Sequence, residues 1–178
     1  MADPAVCIAW ALNNEDFKNL HDIVPDLPGN WVIVNGVKTW NGAHAISGIN
    51  SAAFPKQFAA IAAIPQDQRG PAVNNFYQTE EWSTWFAQII SNDLAKRAFD
   101  WAVNGGSGTS AGTLQTAIDA SGGHVTVDHG WGPITVAAAN AIDPAVLVPA
   151  FQQARVAHLK EHDANNPDLA GLIARALK

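Results

Sequence analysis

Cysteine is almost absent from this chain of 178 residues. Cys7 stands alone, so no internal disulfide can form, and no cysteine-based zinc site either; a buried thiol is the expectation. Basic charge is scarce as well. Ten Lys and Arg face sixteen Asp and Glu, a formal net charge of -6. That argues against nonspecific binding to nucleic acid, which wants a basic face. Long apolar runs are missing too, and none would span a bilayer, so no membrane insertion is expected. The first residues lack a positive n-region, and the short apolar run from Ala5 to Leu12 leads straight into Asn13-Asn14-Glu15-Asp16. Synthesis in the cytoplasm without a signal peptide is therefore expected. There is no internal repeat, no low-complexity run and no interdomain linker; Gly105 to Gly108 is too short to separate domains.

What is present reads as a globular, mostly helical single domain. Hydrophobic residues make up 48% and charged residues 15%, and the length suits one core. Asp3-Pro4 offers an N-cap and an N1 proline, and Val6, Ile8, Ala9, Leu12 and Phe17 continue a helical face, which predicts a first helix from about Pro4 to His21. From there to Gly48 the chain reads as loop. The exception is a small β-hairpin near residues 31–40, with Trp31-Val32-Ile33-Val34 and Val37-Lys38-Thr39-Trp40 joined by Asn35-Gly36. Helices are expected after Ser51, over Pro71–Tyr77 and over Glu80–Ile90. Further helices run from the Ser91-Asn92-Asp93 cap to about Val103, over Ser110–Ala120 and Thr135–Ala141, from Asp143-Pro144 to about His162, and after Asn166-Pro167.

Few side chains carry obvious chemistry. Glu15 lies on the first helix, just ahead of a loop punctuated by proline and glycine. Spacing alone reads it as a solvated helix-face carboxylate. Asp26 reads from composition as the start of an Asx-type turn. Asp100, inside an apolar helix, reads as a buried hydrogen-bonding group. Seven tryptophans divide in two. Trp10, Trp82, Trp85 and Trp101 sit on helical faces and are most simply core, whereas Trp31, Trp40 and Trp131 lie in loops. His158-Leu159-Lys160-Glu161-His162 fits the H-x-x-E-H pattern of inverted zinc peptidases. A catalytic zinc needs a further protein ligand, and only sixteen residues follow, so a polar helix exit is the simpler reading and no metal is expected.

Two cassettes in the second half carry a resemblance. One is Phe99-Asp100-Trp101-Ala102-Val103-Asn104-Gly105-Gly106; the other is Asp128-His129-Gly130-Trp131-Gly132-Pro133-Ile134-Thr135, with Leu114-Gln115 between them. In the first half the corresponding segments are Asn14-Glu15-Asp16, Asp26-Leu27-Pro28-Gly29-Asn30-Trp31 and Ser47-Gly48-Ile49-Asn50, and Arg155 matches an arginine of the long C-terminal helix. Together these resemble the lysozyme-like N-acetylmuramidases of glycoside hydrolase family 108, specifically in the second half and more weakly in the first. Asp16 and Phe17 stand where the family has two glycines, Leu27 is inserted, and Ala45 replaces a threonine, with His44 and Ser47 as the nearby polar substitutes.

The resemblance implies a lysozyme-like fold with a catalytic lobe over 1–90 and a peptidoglycan-binding-like helical lobe over 91–178. It implies cleavage of the β-1,4 bond between N-acetylmuramic acid and N-acetylglucosamine, without a cofactor. Glu15 would then be the general acid and Asp26 its partner, either as base for water or as stabiliser of an oxocarbenium-like transition state. Glycan contacts would fall to Trp31, Trp40, His44, Ser47, Asn104 and Trp131. Binding to glycan strands by such an acidic chain has to rest on shape, hydrogen bonds and aromatic stacking. A monomer is expected, acting on the wall as a phage endolysin or a bacterial lysin exported by a specialised route. The same residues suit a lytic transglycosylase, or a peptidoglycan-binding or assembly protein without catalysis.

Overall fold

A computed structural model describes residues 1–15, 20–26, 31–35 and 37–178, with the side chains of residues 31, 32 and 38 excluded. Mostly α, with a small β part, is the architecture observed. Two compact units result, one of Leu12–Glu81 and one joining Met1–Ala11 to Trp82–Lys178. The sequence-based lobes met at residue 90. In the structure residues 82–90 belong with the second unit, because Trp82 and Phe86 pack edge-on against Phe99, at ring separations of 5.1 and 5.5 Å.

α1 (Pro4–Glu15) starts as its cap demands: the Asp3 carboxylate accepts from the Ala5 amide at 2.8 Å, and Pro4 fills a position whose N–H has no helical partner. Cys7, Ile8, Ala11 and Leu12 are its buried residues. The expected end at His21 is corrected: Leu20 is not helical and His21 has left-handed backbone, φ 49. Phe17, and with it residues 16–19, lies outside the described residues.

Among the described residues all the strands fall in the unit of Leu12–Glu81. β2 (Trp31–Val34) and β3 (Val37–Trp40) pair antiparallel, Val34 opposite Val37 and Trp31 opposite Trp40, with Asn35 at φ 50 in the turn. This is the hairpin expected from Asn-Gly between β-branched runs. The loop expected over the rest of 21–48 is corrected. β1 (Ile23–Pro25), β4 (His44–Ile46) and β5 (Ile49–Asn50) form a three-stranded antiparallel sheet in the order β1-β4-β5. Its strands of two or three residues are too short to show a period-2 pattern. α2 (Pro55–Ala62) and α3 (Gly70–Phe76) follow, and Phe54, Phe76 and Tyr77 form an edge-to-face row at 4.8 and 5.5 Å.

The helix expected over Glu80–Ile90 is also corrected. A π-helical turn over Tyr77–Glu81 is followed by a break, and Ser83 then caps the short α4 (Thr84–Gln88) by accepting from the Trp85 amide at 3.3 Å. Five further helices complete this second unit: α5 (Asn92–Gly105), α6 (Ser107–Ala120), α7 (Pro133–Ala141), α8 (Pro144–His162) and α9 (Leu169–Ala176). Ser91 and Asp143 cap α5 and α8 as expected. α6 starts three residues earlier and α7 two residues earlier than expected. The last helix starts at Leu169 rather than at Asn166-Pro167. Asp100 is wholly buried between Arg155 of α8, at 2.8 Å, and Arg175 of α9, at 2.5 Å. It is the structural carboxylate that its apolar helix suggested. Among the described residues no helix is long and apolar enough to cross a membrane.

Candidate functional site

Glu15 ends α1 half-buried, and its carboxylate is seated against a glycine. A Cβ built on Gly48 would stand 2.9 Å from Glu15 Oε2, 3.1 Å from Glu15 Cδ and 2.8 Å from the Tyr77 hydroxyl. Gly48 occupies the β4–β5 turn at φ 82, where only glycine sits without strain. Its bare Cα thus supplies the floor on which the carboxylate and the phenol meet. Tyr77, 1% exposed, donates its hydroxyl proton to the Ser47 carbonyl at 2.8 Å. Ser47 is buried as well, with φ 47, and its Oγ lies 2.7 Å from His21 Nδ1. The sequence offered no role for Tyr77 or His21. The signal within reach was Ser47-Gly48 as a turn pair between short apolar runs.

Asp26 belongs to a second cluster of the same unit. Its amide continues the β1–β4 ladder by donating to the Ala43 carbonyl at 3.0 Å. Asn50 Nδ2 donates to its carboxylate at 2.6 Å, and Asn50 Oδ1 accepts from the Ala52 and Ala53 amides at 2.6 and 3.0 Å. The Trp40 indole N–H donates to the Asp26 carbonyl at 3.2 Å. His44 stands edge-on to Trp40 at 5.3 Å and donates from Nδ1 to the Gly42 carbonyl at 2.9 Å. Asp26, Trp40 and His44 are therefore brought together. Glu15 meets the sheet at the β4–β5 turn beyond Ile46, which pairs with Ile23, whereas Asp26 extends the opposite end of β1. Residues 27–30, including the inserted Leu27, and the Trp31 side chain lie outside the described residues.

An open cavity of about 610 Å³ lies against His21, walled also by Leu20, Gln66, Asp67, Gly70 and Pro71. Gln66 donates to the Leu20 carbonyl at 2.8 Å and to Asp22 at 2.6 Å, and Arg69 donates to the His21 carbonyl at 2.7 Å. Glu81, half-buried at the end of the π-helical turn, is a carboxyl that drew no notice in the sequence. Burial first, and the charge of Glu80 second, push it above the usual carboxylate range.

The Asp128–Thr135 cassette belongs to the other unit and is organised by one buried amide. Gln115 Nε2 donates to Asp128 Oδ1, the Gly130 carbonyl and Thr135 Oγ1 at 2.7, 3.0 and 3.2 Å. Gln115 Oε1 accepts from the Asp128 and His129 amides at 3.1 and 3.0 Å. The Gly130 amide and then the Gln115 amide hold the exposed Asp128 carboxyl below its ordinary value. Trp131 packs its ring against Phe86 at 4.9 Å, and its indole N–H is taken by the Ser107 carbonyl at 3.0 Å. Asn104 is exposed and donates to the Asp100 carbonyl one turn back. Both residues lie in the unit that does not contain Glu15.

His158 and His162 of the H-x-x-E-H segment have ring centroids 4.3 Å apart, and Glu161 lies 3.9 Å from His162. Burial and then the neighbouring His162 lower the basicity of His158. Among the described residues no group of three or more His, Cys, Asp or Glu is arranged to hold a metal ion. No protein-family model matches this chain, and no curated protein matches it.

Proposed function

We propose that the chain is a peptidoglycan hydrolase that cleaves the β-1,4 bond between N-acetylmuramic acid and N-acetylglucosamine, as its resemblance to family 108 muramidases implies. The observation that carries this reading is the seat of Glu15. A carboxylate held at a helix end, against a bare glycine Cα and beside a buried phenol, is a positioned group rather than a solvated helix-face acid. In its acid form Glu15 protonates the leaving glycosidic oxygen. Asp26, oriented by Asn50, takes the proton from the attacking water. Trp40 and His44, beside Asp26, offer a ring face and a ring nitrogen to the sugar. The reaction then releases ordinary reducing ends.

Glu15→Gln tests this directly. Wild-type protein on purified sacculi should generate reducing ends, and mass spectrometry should show ordinary rather than anhydro termini. The variant should lose release by at least ~100-fold, the usual scale for a general acid, yet still pellet with sacculi. Release that survives in the variant removes Glu15 from the mechanism. A wild type that pellets without releasing ends leaves a binding protein in place of an enzyme.

A further inference from the structure

The Ser47–His21 hydrogen bond is used by neither the acid nor the base, yet the fold goes to some length to make it. Both residues have left-handed backbone, at φ 47 and φ 49, a conformation that Gly or Asn adopts more cheaply. Ser47 is only 6% exposed, and its Oγ meets His21 Nδ1 at 2.7 Å. The segment Leu20–Asp22 is tied down by three hydrogen bonds. Arg69 donates to the His21 carbonyl, and Gln66 ties down the Leu20 carbonyl and the Asp22 carboxylate on either side. Arg69 is itself fixed by donating to the Ile64 and Ala62 carbonyls at 3.0 and 3.1 Å. Strained backbone that persists because its surroundings over-determine it is characteristic of functional positions.

The tie continues toward the candidate acid. Ser47 offers its carbonyl to Tyr77, and the next residue, Gly48, is the floor under the Glu15 carboxylate. We propose that His21 and Ser47 are a positioning pair that fixes the β4–β5 turn and thereby holds the Glu15 carboxyl at its working height and angle. The inference rests on the reading of Glu15 as general acid. Ser47, which the resemblance set among the glycan contacts, is buried, and both residues act through the turn. A sub-ångström slackening of Gly48 translates directly into a misplaced carboxyl, because nothing but a Cα lies between them.

Glycine is the informative replacement at both positions. Ser47→Gly and His21→Gly each remove the hydrogen bond while relieving the left-handed backbone, so neither should lower the thermal midpoint by more than a few degrees. A merely structural turn would then work normally. A positioning pair should instead show kcat on soluble glycan strands reduced about tenfold with KM unchanged, the signature of a misaligned reacting group. The double variant should be no worse than either single one. His21→Asn, whose amide can stand in for Nδ1 and which tolerates left-handed backbone, should restore most of the rate. A second readout is independent of turnover: the carboxyl ¹³C resonance of Glu15 should move in both glycine variants and return in His21→Asn. Folded glycine variants with wild-type kcat and an unmoved resonance overturn the proposal, as does a loss confined to KM. If wild-type protein releases no reducing ends, the muramidase reading fails on its own. The resonance then decides the pair, displacement supporting it and constancy overturning it.

Discussion

Glu15 Oε2 lies 2.9 Å from the point where a side chain on Gly48 would begin. The carboxylate therefore occupies space that any other residue at position 48 would claim. Gly48→Ala should fail twice. Alanine at φ 82 costs about 1–2 kcal/mol in backbone strain, and its methyl group pushes on both Glu15 and the Tyr77 hydroxyl. Denaturant melts should show a loss of about 1–3 kcal/mol. Turnover on sacculi should fall by roughly 100-fold, as expected for a reacting group displaced by an ångström. A destabilised Gly48→Ala protein that turns over at the wild-type rate would separate the glycine's structural role from any role of Glu15.

Gln115 makes its five hydrogen bonds from a position that is 1% exposed, and all of them go to the 128–135 segment. A buried amide that satisfies both donors and acceptors of a loop is costly to lose, since its partners are left unpaired. Gln115→Leu keeps much of the volume and removes every bond. It should cost about 2–3 kcal/mol and expose the loop to limited proteolysis near His129-Gly130 while α5 and α8 stay protected. Unchanged proteolysis would mean that the loop is held by Trp131 against Phe86 instead.

Cys7 is fully buried on α1, and its thiol is pushed up to about 11, by burial first and then by the nearby Asp3 carboxylate, with Lys96 working in the opposite direction. The thiolate is the reactive form, so at pH 8 the native protein should react with a disulfide reagent orders of magnitude more slowly than the protein in urea. Stoichiometric labelling of the folded protein within seconds would contradict the burial of α1.

Much of this architecture is legible in the sequence because it is written in caps and turns. Asp3-Pro4, Ser91 and Asp143 mark helix starts that the structure reproduces, and Asn35-Gly36 marks the hairpin. What escaped has physical reasons. β1, β4 and β5 hold three, three and two residues, too few for alternation to register. Ser83 is an N-cap that passes unnoticed inside an apolar, aromatic stretch. At the candidate site, Glu15 and Asp26 drew attention only through a family resemblance. Tyr77 and His21 were not legible at all, because their roles arise from contacts with Ser47 that span 30 and 26 residues of chain. No local pattern encodes a phenol that reaches a carbonyl across a turn.

Glu81 gives a pH dependence of known sign. Its carboxyl is raised above the ordinary 4.5 by burial and by Glu80, so the folded protein holds this proton more tightly than the unfolded chain. The stabilisation is fully present below pH 4.5 and is lost as pH rises through the higher folded value. Other carboxyls run the opposite way. Asp93, for instance, is held low by hydrogen bonds from Lys96 and Arg97 that outweigh its desolvation, so the effect has to be read as a difference. Glu81→Gln removes the ionisation and keeps the shape. Its thermal midpoint relative to wild type should rise steadily between pH 4 and pH 7, then level off. A difference that stays constant across that range would show that Glu81 titrates alike in the folded and unfolded chain, and that Glu80 and the π-helical turn impose no penalty on its charge.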